Sequence, residues 1–517
     1  MSWQEIRDKK KAQLDAAIPS EWKDPEIKAK MEKAGVVSSH EYLDSVLPVE
    51  EVKITALSVG ELAAAIKAKQ LTSYEVTKAF CHRAALAHQI LNCCVEIFFD
   101  DALKRAKEVD EYYEKNGSTI GPLHGVPLTL KDQFDLVGKD SSIGYCALFG
   151  RPATKNSVLV DYLLEQGAVF YVKTTVPVAM MSAETESNIM GYTLNGVNNK
   201  MSCGGSSGGE GALIASGGAV LGFGTDIGGS IRIPSSFQGL YALKPSTGRV
   251  SYMDVSNSYA YQELVPSVIG PMGKSLKDVN LIFELIVKGE LWNIDPKVLS
   301  IPWKSPDEFA GKEFKFGFWK DDGNATPQRA ILRCLDEVQH KIKASGAIAK
   351  DVDFDLQPKL LDTIGKVFGS DAYHEIGSMT KKTGEPDLDH VKWLVLKEGI
   401  DEPLNVNEWW EVSKEVYERK QQFYADWKKW GIDVLVCPIW PSAAFKPHSP
   451  HRVNYTCPFN ITDCASVVIP VGKVDSKVDG DPDWNGMPVC VQVVARRSEE
   501  EKALYAAGII DKLVNGV

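Results

Sequence analysis

Several features that would place this chain in a particular class are missing from it. No apolar run of about 18 residues occurs, so no membrane-spanning helix is expected. The charged segment 1–22 contains no apolar stretch of the kind found in secretory signals. None of the ten cysteines forms a C-x-x-C pair, and no His/Cys cluster has the spacing of a zinc site. We therefore expect a cytoplasmic protein with reduced thiols, and with neither a metal nor another cofactor.

An excess of basic charge is also missing. The 517 residues include 58 Lys and Arg against 69 Asp and Glu, which gives a net charge of −11. This balance argues against nucleic acid or an anionic membrane as the main partner. The expected partner is a small-molecule substrate, and a homodimer is compatible with the sequence.

The chain contains no internal repeat and no low-complexity tract. Residues 1–56 are interpreted as a helical arm with a proline-containing linker, and residues 57–517 as a single large domain. The arm either packs on the surface, helps to form a dimer or is loosely attached, and the sequence leaves these possibilities open.

Helical and strand-like segments alternate over much of the chain. A helix at 156–166 leads into the strand Ala168–Lys173, and a short helix at 209–217 leads into the strand Ala219–Thr225. Such alternation predicts an α/β fold with largely parallel strands. The middle region, about 275–430, is expected to be mostly helical. Three strand-like runs return near the end of the chain: Val434–Cys437, Ser466–Val471 and Val489–Val494.

Glycine is concentrated in one stretch, residues 200–236. Eleven of the chain's 42 glycines lie within 26 consecutive positions of it, where an even distribution would put about two. Glycine at this density allows tight turns and a close approach of backbone to a ligand. Ser206 and Ser207 lie near the start of the stretch, and Ser230 lies near its end. Backbone N–H groups beside a serine hydroxyl would provide a nucleophile and donors for a developing oxyanion, as acyl transfer requires.

A histidine base for such a serine is not available nearby, because no histidine lies between His124 and His340. Lys131 fits better, since the apolar run Val126–Leu130 leads into it as a strand leads to its end. Burial disfavours the charged ammonium, so a lysine in a dry pocket can act as a base near neutral pH.

Together these features resemble the amidase signature family, which includes fungal acetamidases and fatty acid amide hydrolases. The resemblance rests on Lys131 with GVP ahead of it, on GGSSGGEGA and on GTDIGGSIRIPSSF, and it extends over nearly the whole chain. The start of the chain and the segments AFCHRAALAHQ and DEYY are most similar to fungal acetamidases. The family fold implies a large mixed, twisted sheet covered by helices on both faces.

The resemblance also implies a Ser–cis-Ser–Lys triad. Ser230 aligns with the nucleophile and Lys131 with the base. Ser206 aligns with the bridging serine, whose preceding peptide bond is cis in the family.

The same match suggests roles for residues around the triad. Four backbone N–H groups align with the oxyanion hole: those of Ile227, Gly228, Gly229 and Ser230. Four residues are expected to bind substrate: Met180, Met181, Ser182 and Ser207. Asp226 and Arg232 flank the oxyanion turn and are expected to pair and hold it.

The sequence therefore predicts an amidohydrolase that cleaves small linear amides through an acyl-enzyme. Carbamates and fatty acid amides are alternative substrates, and an amidotransferase subunit or a non-catalytic binding protein are alternative functions. An α/β-hydrolase esterase is a further alternative, because Gly204-x-Ser206-x-Gly208 matches a nucleophile elbow. That motif must follow a strand, however, and the segment ahead of it, LNGVNNKMSC, is polar and rich in turn residues.

Overall fold

The architecture is built on one large mixed β-sheet, seen in a computed structural model that describes residues 1–305 and 308–516. Eleven strands in the described ranges form this sheet, and two more form a separate hairpin. The strands are β1 (Cys94–Ile97), β2 (Pro127–Lys131), β3 (Val169–Thr174), β4 (Glu186–Ser187), β5 (Gly191–Tyr192), β6 (Leu221–Asp226), β7 (Tyr241–Lys244), β8 (Val268–Gly273), β9 (Lys315–Phe318), β10 (Ile348–Asp351), β11 (Val434–Cys437), β12 (Ala465–Lys473) and β13 (Pro488–Ala495).

The strand order is β1-β3-β2-β6-β8-β7-β12-β13-β11-β9-β10, and β4 pairs with β5 in the hairpin. Strands β3, β2 and β6 are parallel neighbours, as are β11, β9 and β10. The central strands from β6 to β11 pair antiparallel. The alternation of helices and strands had predicted largely parallel strands, and this prediction is wrong, because β7 returns to its neighbour β8, and β12 to its neighbour β13, in the antiparallel direction. The mixed sheet implied by the family resemblance is confirmed.

Helices cover both faces of the sheet. Every residue of β2, β3, β6 and β13 is buried, and successive side chains of a strand point to opposite faces. The α-helices of the described ranges are α1 (Trp3–Ala17), α2 (Ile27–Lys33), α3 (Ser39–Val46), α4 (Val49–Ala56), α5 (Val59–Lys67), α6 (Ser73–Leu91), α7 (Phe99–Asn116), α8 (Val158–Glu165), α9 (Gly208–Ala215), α10 (Arg232–Phe237), α11 (Leu276–Lys288), α12 (Arg329–Ala344), α13 (Gln357–Phe368), α14 (His374–Lys381), α15 (Asp389–Val395), α16 (Val406–Trp430), α17 (Pro458–Ile461), α18 (Ser476–Asp479) and α19 (Glu500–Asn515). None of them is both long enough and apolar enough to cross a membrane.

The first 56 residues pack against the rest of the chain. Met31 on α2 and Leu43 on α3 are fully buried and belong to the main hydrophobic core. Helices α2, α3 and α4 contact α6, and α1 contacts β1. Arg83 on α6 is buried and pairs with Asp44 of this segment at 2.7 Å.

A second hydrophobic cluster lies between the sheet and the middle helices. It contains Met180 and Met181, Phe368 at the end of α13, and Trp427 on α16. This cluster matters for function because Met180, Met181 and Phe368 also line the cavity described next.

Candidate active site

Lys131 ends β2 in the interior of the protein. Every residue of this strand is buried, and the Lys131 side chain is fully buried at its carboxyl end. Its Nζ lies 2.8 Å from Oγ of Ser206 and 2.7 Å from Oγ1 of Thr225. No carboxylate forms an ion pair with Lys131 in the part of the chain that the structure describes.

Burial lowers the pKa of Lys131 to about 7, against the opposing effect of more distant carboxylates on Asp226, Glu210 and Asp132. An ammonium loses hydration when it is buried, and two hydroxyl groups replace that hydration only in part. A substantial fraction of Lys131 is therefore neutral at physiological pH and able to accept a proton.

Ser206 lies between Lys131 and the glycine-rich turn. The Gly205–Ser206 peptide bond is cis, as the resemblance implied. Glycine is required ahead of it, since a Cβ on Gly205 would lie 2.7 Å from the carbonyl oxygens of both Ser182 and Glu184. The side chain of Ser206 is buried, and its neighbour Ser207 donates its backbone N–H to the carbonyl of Ser230 at 3.1 Å.

Ser230 lies in the turn between β6 and α10. It is buried except for a small area that faces a cavity, where it is 8% exposed. Within the described residues no hydrogen bond joins its hydroxyl directly to that of Ser206. The backbone link through Ser207 nevertheless holds the two serine segments side by side.

The turn from Ile227 to Ser230 leaves most of its N–H groups free. Gly229 donates its N–H to Oδ1 of Asp226 at 2.8 Å. The N–H groups of Ile227, Gly228 and Ser230 have no acceptor among the described residues. Three of the four predicted oxyanion donors are thus available to a ligand, while that of Gly229 supports the turn.

Asp226 and Arg232 form the ion pair that the sequence predicted. The guanidinium contacts both carboxylate oxygens at 3.0 Å, and both side chains are fully buried. Burial opposes ionisation of the carboxyl group, but the charge and hydrogen bonds of Arg232 hold the pKa of Asp226 well below its usual value. The same carboxylate accepts the N–H groups of Gly229 and Ile231, so the pair fixes the shape of the turn.

Sequence reasoning missed the residues that complete this pair. Asn460 donates to Asp226 at 2.8 Å, and Arg232 donates to the side chains of Asn460 and Gln492 and to the carbonyl of Thr456. The hydroxyl of Thr456 also donates to the carbonyl of Gly228 at 2.6 Å. Asn460 lies on α17, Thr456 lies just ahead of that helix and Gln492 lies on β13, so only the fold brings these partners to the turn.

Two other polar residues near Lys131 were also missed. Thr225 accepts from Lys131 and donates to Gln133 at 2.6 Å. Glu210, buried on α9, contacts Thr129 and accepts from Thr174 at 2.7 Å. Burial raises the pKa of Glu210 to about 7. The position of Thr225 at the end of a strand, just ahead of the glycine-rich turn, is the sequence signal that could have identified this residue.

The cavity at Ser230 is small and mostly apolar. Its lining residues are Met180, Met181, Ser182, Ala183, Gly205, Ile227, Gly228, Ser230, Ile233, Phe368, Leu394 and Val453. Three of the four predicted substrate-binding residues are among them. The fourth, Ser207, lies outside the lining: its hydroxyl accepts from the N–H of Thr225 at 3.2 Å and lies 3.3 Å from the carbonyl of the same residue.

The site combines a buried amine beside one serine, a second serine that faces a cavity, and free N–H groups next to that serine. Hydrolysis of acyl compounds uses groups of these kinds. On an α/β sheet, this arrangement defines a class of hydrolases that need no histidine. The chain belongs to the Amidase family, whose model matches residues 75–504, and it is an amidohydrolase. The family predicted from the sequence motifs is confirmed.

Curated relatives and a solved structure agree with this assignment. The chain is 35% identical to "Acetamidase" of Aspergillus oryzae, with 99% of each chain covered. It is 36% identical to "Acetamidase" of Emericella nidulans, over 100% of this chain and 99% of the relative. The structure of a protein called "Fatty acid amide hydrolase" superposes with a TM-score of 0.91 at 32% identity, covering 100% of this chain and 95% of that one.

Proposed function

We propose that this amidohydrolase cleaves the carbonyl C–N bond of small linear amides through an acyl-enzyme on Ser230. The observation that carries the proposal is the buried contact between Lys131 and Ser206, 2.8 Å apart with no competing carboxylate in the described residues. Since burial lowers the pKa of Lys131 to about 7, this amine can remove a proton near neutral pH.

In the first half of the reaction, neutral Lys131 accepts the proton of Ser206 while Ser206 accepts that of Ser230. The freed oxygen of Ser230 attacks the amide carbonyl carbon. The hydroxyls of Ser206 and Ser230 must come into hydrogen-bond contact for this step, and such contacts often tighten only when substrate is bound.

The free N–H groups of Ile227, Gly228 and Ser230 receive the oxygen that becomes negative in the tetrahedral intermediate. Removing one donor of this kind typically costs about 3–4 kcal/mol of transition-state stabilisation. Gly229 contributes differently, since its N–H is held by Asp226 and keeps the other three in place.

The relay then runs in the opposite direction. Protonated Lys131 returns its proton through Ser206 to the amide nitrogen, which leaves as ammonia or an amine. Water enters, loses a proton to the same relay and hydrolyses the ester on Ser230. Neither half-reaction requires a group that the site does not contain.

The small cavity favours a short acyl group. It is smaller than an ordinary ligand pocket, and its apolar walls suit an alkyl chain of few carbons. Relatives named acetamidase fit this size. Carbamates present the same carbonyl–nitrogen bond and are included in the proposal as secondary substrates.

Long-chain amides are the second candidate substrate class, because of the similarity to a structure named fatty acid amide hydrolase. The cavity argues against them, since a long acyl chain would require Phe368 or Leu394 to move. The two classes are separated by comparing kcat/KM for acetamide, butyramide and a long-chain primary amide. A monotonic fall with chain length supports the short-chain assignment, and a rise overturns it.

Active-site labelling tests the catalytic assignment. The purified protein is treated with a fluorophosphonate, and the modified peptide is identified by mass spectrometry. We expect an adduct on Ser230, greatly slowed in Lys131→Ala and Ser206→Ala and absent in Ser230→Ala. Ser378→Ala, a change at an exposed serine on α14, is the control and should label like the wild type.

The rival functions give different labelling results. An esterase of the nucleophile-elbow type would carry the adduct on Ser206, and a non-catalytic binding protein would carry none. An amidotransferase subunit would label at Ser230 but require co-purifying subunits for its activity. Cytoplasmic location and a homodimer stay predictions from the sequence.

A further inference from the structure

A second group of reactive side chains lies in a surface cleft beside the active-site cavity. The cleft is lined by residues of three segments: Glu184 and Glu186, His390 with Trp393 on α15, and the loop from His448 to His451. None of these residues belongs to the proposed catalytic relay. The sequence predicted no metal site, because no His/Cys cluster in it has the spacing of a zinc site.

The ligating atoms of this group converge on one point. One ligating atom each from Glu184, His390 and His448 lies within 4.8 Å of the other two. Nδ1 of His448 lies 3.4 Å from Oε2 of Glu186, and Nδ1 of His390 lies 3.9 Å from carboxylate oxygens of both Glu184 and Glu186. A tetrahedral metal site with bonds of about 2.0–2.1 Å holds its ligand atoms about 3.3–3.4 Å apart. The separations of 3.4 and 3.9 Å are at or above this value, and the three ligand atoms of Glu184, His390 and His448 together lie within 4.8 Å.

Hydrogen bonding within the described residues leaves the His390 imidazole unsatisfied. Neither nitrogen of His390 has a hydrogen-bond partner among the described residues, although its side chain is only 11% exposed. Of the two nitrogens, Nε2 is buried and Nδ1 faces the carboxylates of Glu184 and Glu186. Buried polar atoms are normally paired, so this ring lacks the partners expected of an imidazole that is mostly buried. Nδ1 of His451 is also buried, and it has no partner in the described ranges.

Charge balance also favours a cation at this place. Glu184 is fully buried, and in the part of the chain that the structure describes no lysine or arginine forms an ion pair with it. Burial of a carboxylate carries a large desolvation cost, which a cation beside it would offset. Tyr192 donates to its Oε2 at 2.8 Å, and Nε2 of His451 lies 3.2 Å from its Oε1. Contacts of this kind to a coordinating carboxylate orient it toward a metal.

We propose that Glu184, His390 and His448 bind a divalent transition-metal ion of the zinc type, with Glu186 as a fourth ligand. Two imidazoles with two carboxylates suit zinc, whereas magnesium and calcium prefer oxygen ligands alone. His451 and Tyr192 hold the Glu184 carboxylate in position. The cleft remains open to solvent on the side of His448, which provides a path for the ion.

The site would join three segments that also form the wall of the active-site cavity. Ser182 and Ala183 immediately precede Glu184, Leu394 lies one helical turn beyond His390, and Val453 follows the His448–His451 loop. A bound ion would therefore hold this wall in one arrangement. This consequence rests on the proposed amidase function, whereas metal binding itself does not.

Zinc binding to the full-length chain tests the proposal. Protein treated with EDTA is dialysed against Zn²⁺ alone, and bound metal is measured by elemental mass spectrometry. We expect one zinc per chain, not displaced by excess Mg²⁺ or Ca²⁺. The affinity should fall at least about tenfold in His390→Ala and in His448→Ala. His340→Ala, a change at an exposed histidine on α12, should bind like the wild type.

Folding of the variants is checked by their thermal melts. His448 is mostly exposed, so its loss should leave the metal-free Tm unchanged. Zinc should raise the Tm of the wild type but not that of His448→Ala, because only a folded site binds the ion. Absence of bound zinc on the wild type, or equal binding by the wild type and both histidine variants, would overturn the proposal.

The consequence for catalysis has a separate measurement. Removing zinc from the wild type should raise KM for a short amide with a smaller change in kcat, since the ion holds a cavity wall and touches no reacting atom. If zinc binds as described and KM does not change, the site is a stabilising one without effect on the cavity. If the enzyme is inactive on all amides, the proposed function fails while the zinc result still stands.

Discussion

At the scale of single residues, the proposed chemistry depends on one lysine, Lys131, whose charged form is disfavoured by burial. Lys131 lies in the interior with two hydroxyls around its nitrogen, and the nearest carboxylates are too far away to form an ion pair within the described residues. Thr225 can only accept from Lys131, because its own proton is donated to Gln133. The amide of Gln133 is in turn oriented by donation to Tyr252 and to the carbonyl of Ser256.

The first prediction concerns pH. Because neutral Lys131 is the proposed base and burial lowers its pKa to about 7, kcat/KM should be constant at higher pH and fall about tenfold per unit below pH 7. Protonation blocks the relay, so the loss occurs on the acid side. The measurement is a pH–rate profile with an amide whose own groups do not titrate in this range. A profile that is flat down to pH 5 would contradict a lysine base.

The second prediction concerns Thr225 as a positioning residue. Thr225→Val removes the acceptor that fixes one proton of Lys131, and we expect kcat to fall about 10- to 100-fold. Thr225→Ser keeps the hydroxyl and should restore most of the activity. A role in packing alone would give the opposite order, since valine preserves the shape of threonine better than serine does. Both variants are compared by kcat and by the midpoint of the pH profile.

At the scale of elements, the unit that matters is β6 with its turn and α10. β6 delivers Thr225 and Asp226, the turn carries the free N–H groups and Ser230, and α10 returns Arg232 to Asp226. The ion pair between Asp226 and Arg232 links the end of β6 to the start of α10. It therefore holds the turn between them in place while three N–H groups of the turn stay unpaired.

Glycine at position 229 is required by this geometry, which yields the third prediction. Gly229 has φ +131, and a Cβ there would lie 2.6 Å from Oγ1 of Thr456 and 2.7 Å from Ile233. Gly229→Ala should therefore lower the free energy of unfolding by more than about 1 kcal/mol. Gly228 is the matched comparison, since the nearest atom to its Cβ would be the sulfur of Cys457 at 3.3 Å. Urea titration should show a smaller decrease in the free energy of unfolding for Gly228→Ala than for Gly229→Ala. Equal decreases would contradict the strain argument.

The fourth prediction concerns the ion pair. Arg232→Met leaves the fully buried carboxylate of Asp226 without its cation, and we expect unfolding to become easier by about 3–5 kcal/mol. Asn460→Ala removes a neutral hydrogen bond to the same carboxylate and should cost about 1–2 kcal/mol. Chemical denaturation of both variants gives the comparison. Should the two changes cost the same, the charge on Arg232 would not be what holds the turn.

Some residues of the candidate site could be predicted from the sequence, and others could not. Lys131, Ser206 and Ser230 lie in glycine-rich or apolar motifs whose local pattern already indicates their chemistry. Asn460, Gln492 and the zinc-type group of Glu184, His390 and His448 have no such local pattern, because strand order alone brings distant segments together. The direction of strand pairing was mispredicted for the same reason: periodicity identifies a strand but not its neighbour.

At the scale of the whole molecule, the first 56 residues are part of the folded core. Met31 and Leu43 are fully buried in the main hydrophobic cluster. Arg83 on α6 connects this segment to the site: it pairs with Asp44 and donates to the carbonyl of Ser216 at the end of α9. The helix α9 in turn begins directly after Ser206 and Ser207, so the segment supports the helix that follows the bridging serine.

The last prediction follows from this packing. Deleting residues 1–56 should expose the apolar surface that Met31 and Leu43 cover and leave Arg83 buried without Asp44, so the truncated chain should aggregate or lose its cooperative unfolding transition. Leu43→Ala is the milder test, because removal of a fully buried leucine typically costs about 2–5 kcal/mol and leaves the chain intact. Its matched control is Val46→Ala on the same helix, where the side chain is 48% exposed and the cost should be small. Thermal melts and size-exclusion chromatography report both effects. If the truncated chain stayed monodisperse with an unchanged Tm, the segment would be a loosely attached arm, and its contacts with α6 would contribute nothing to the stability of the fold.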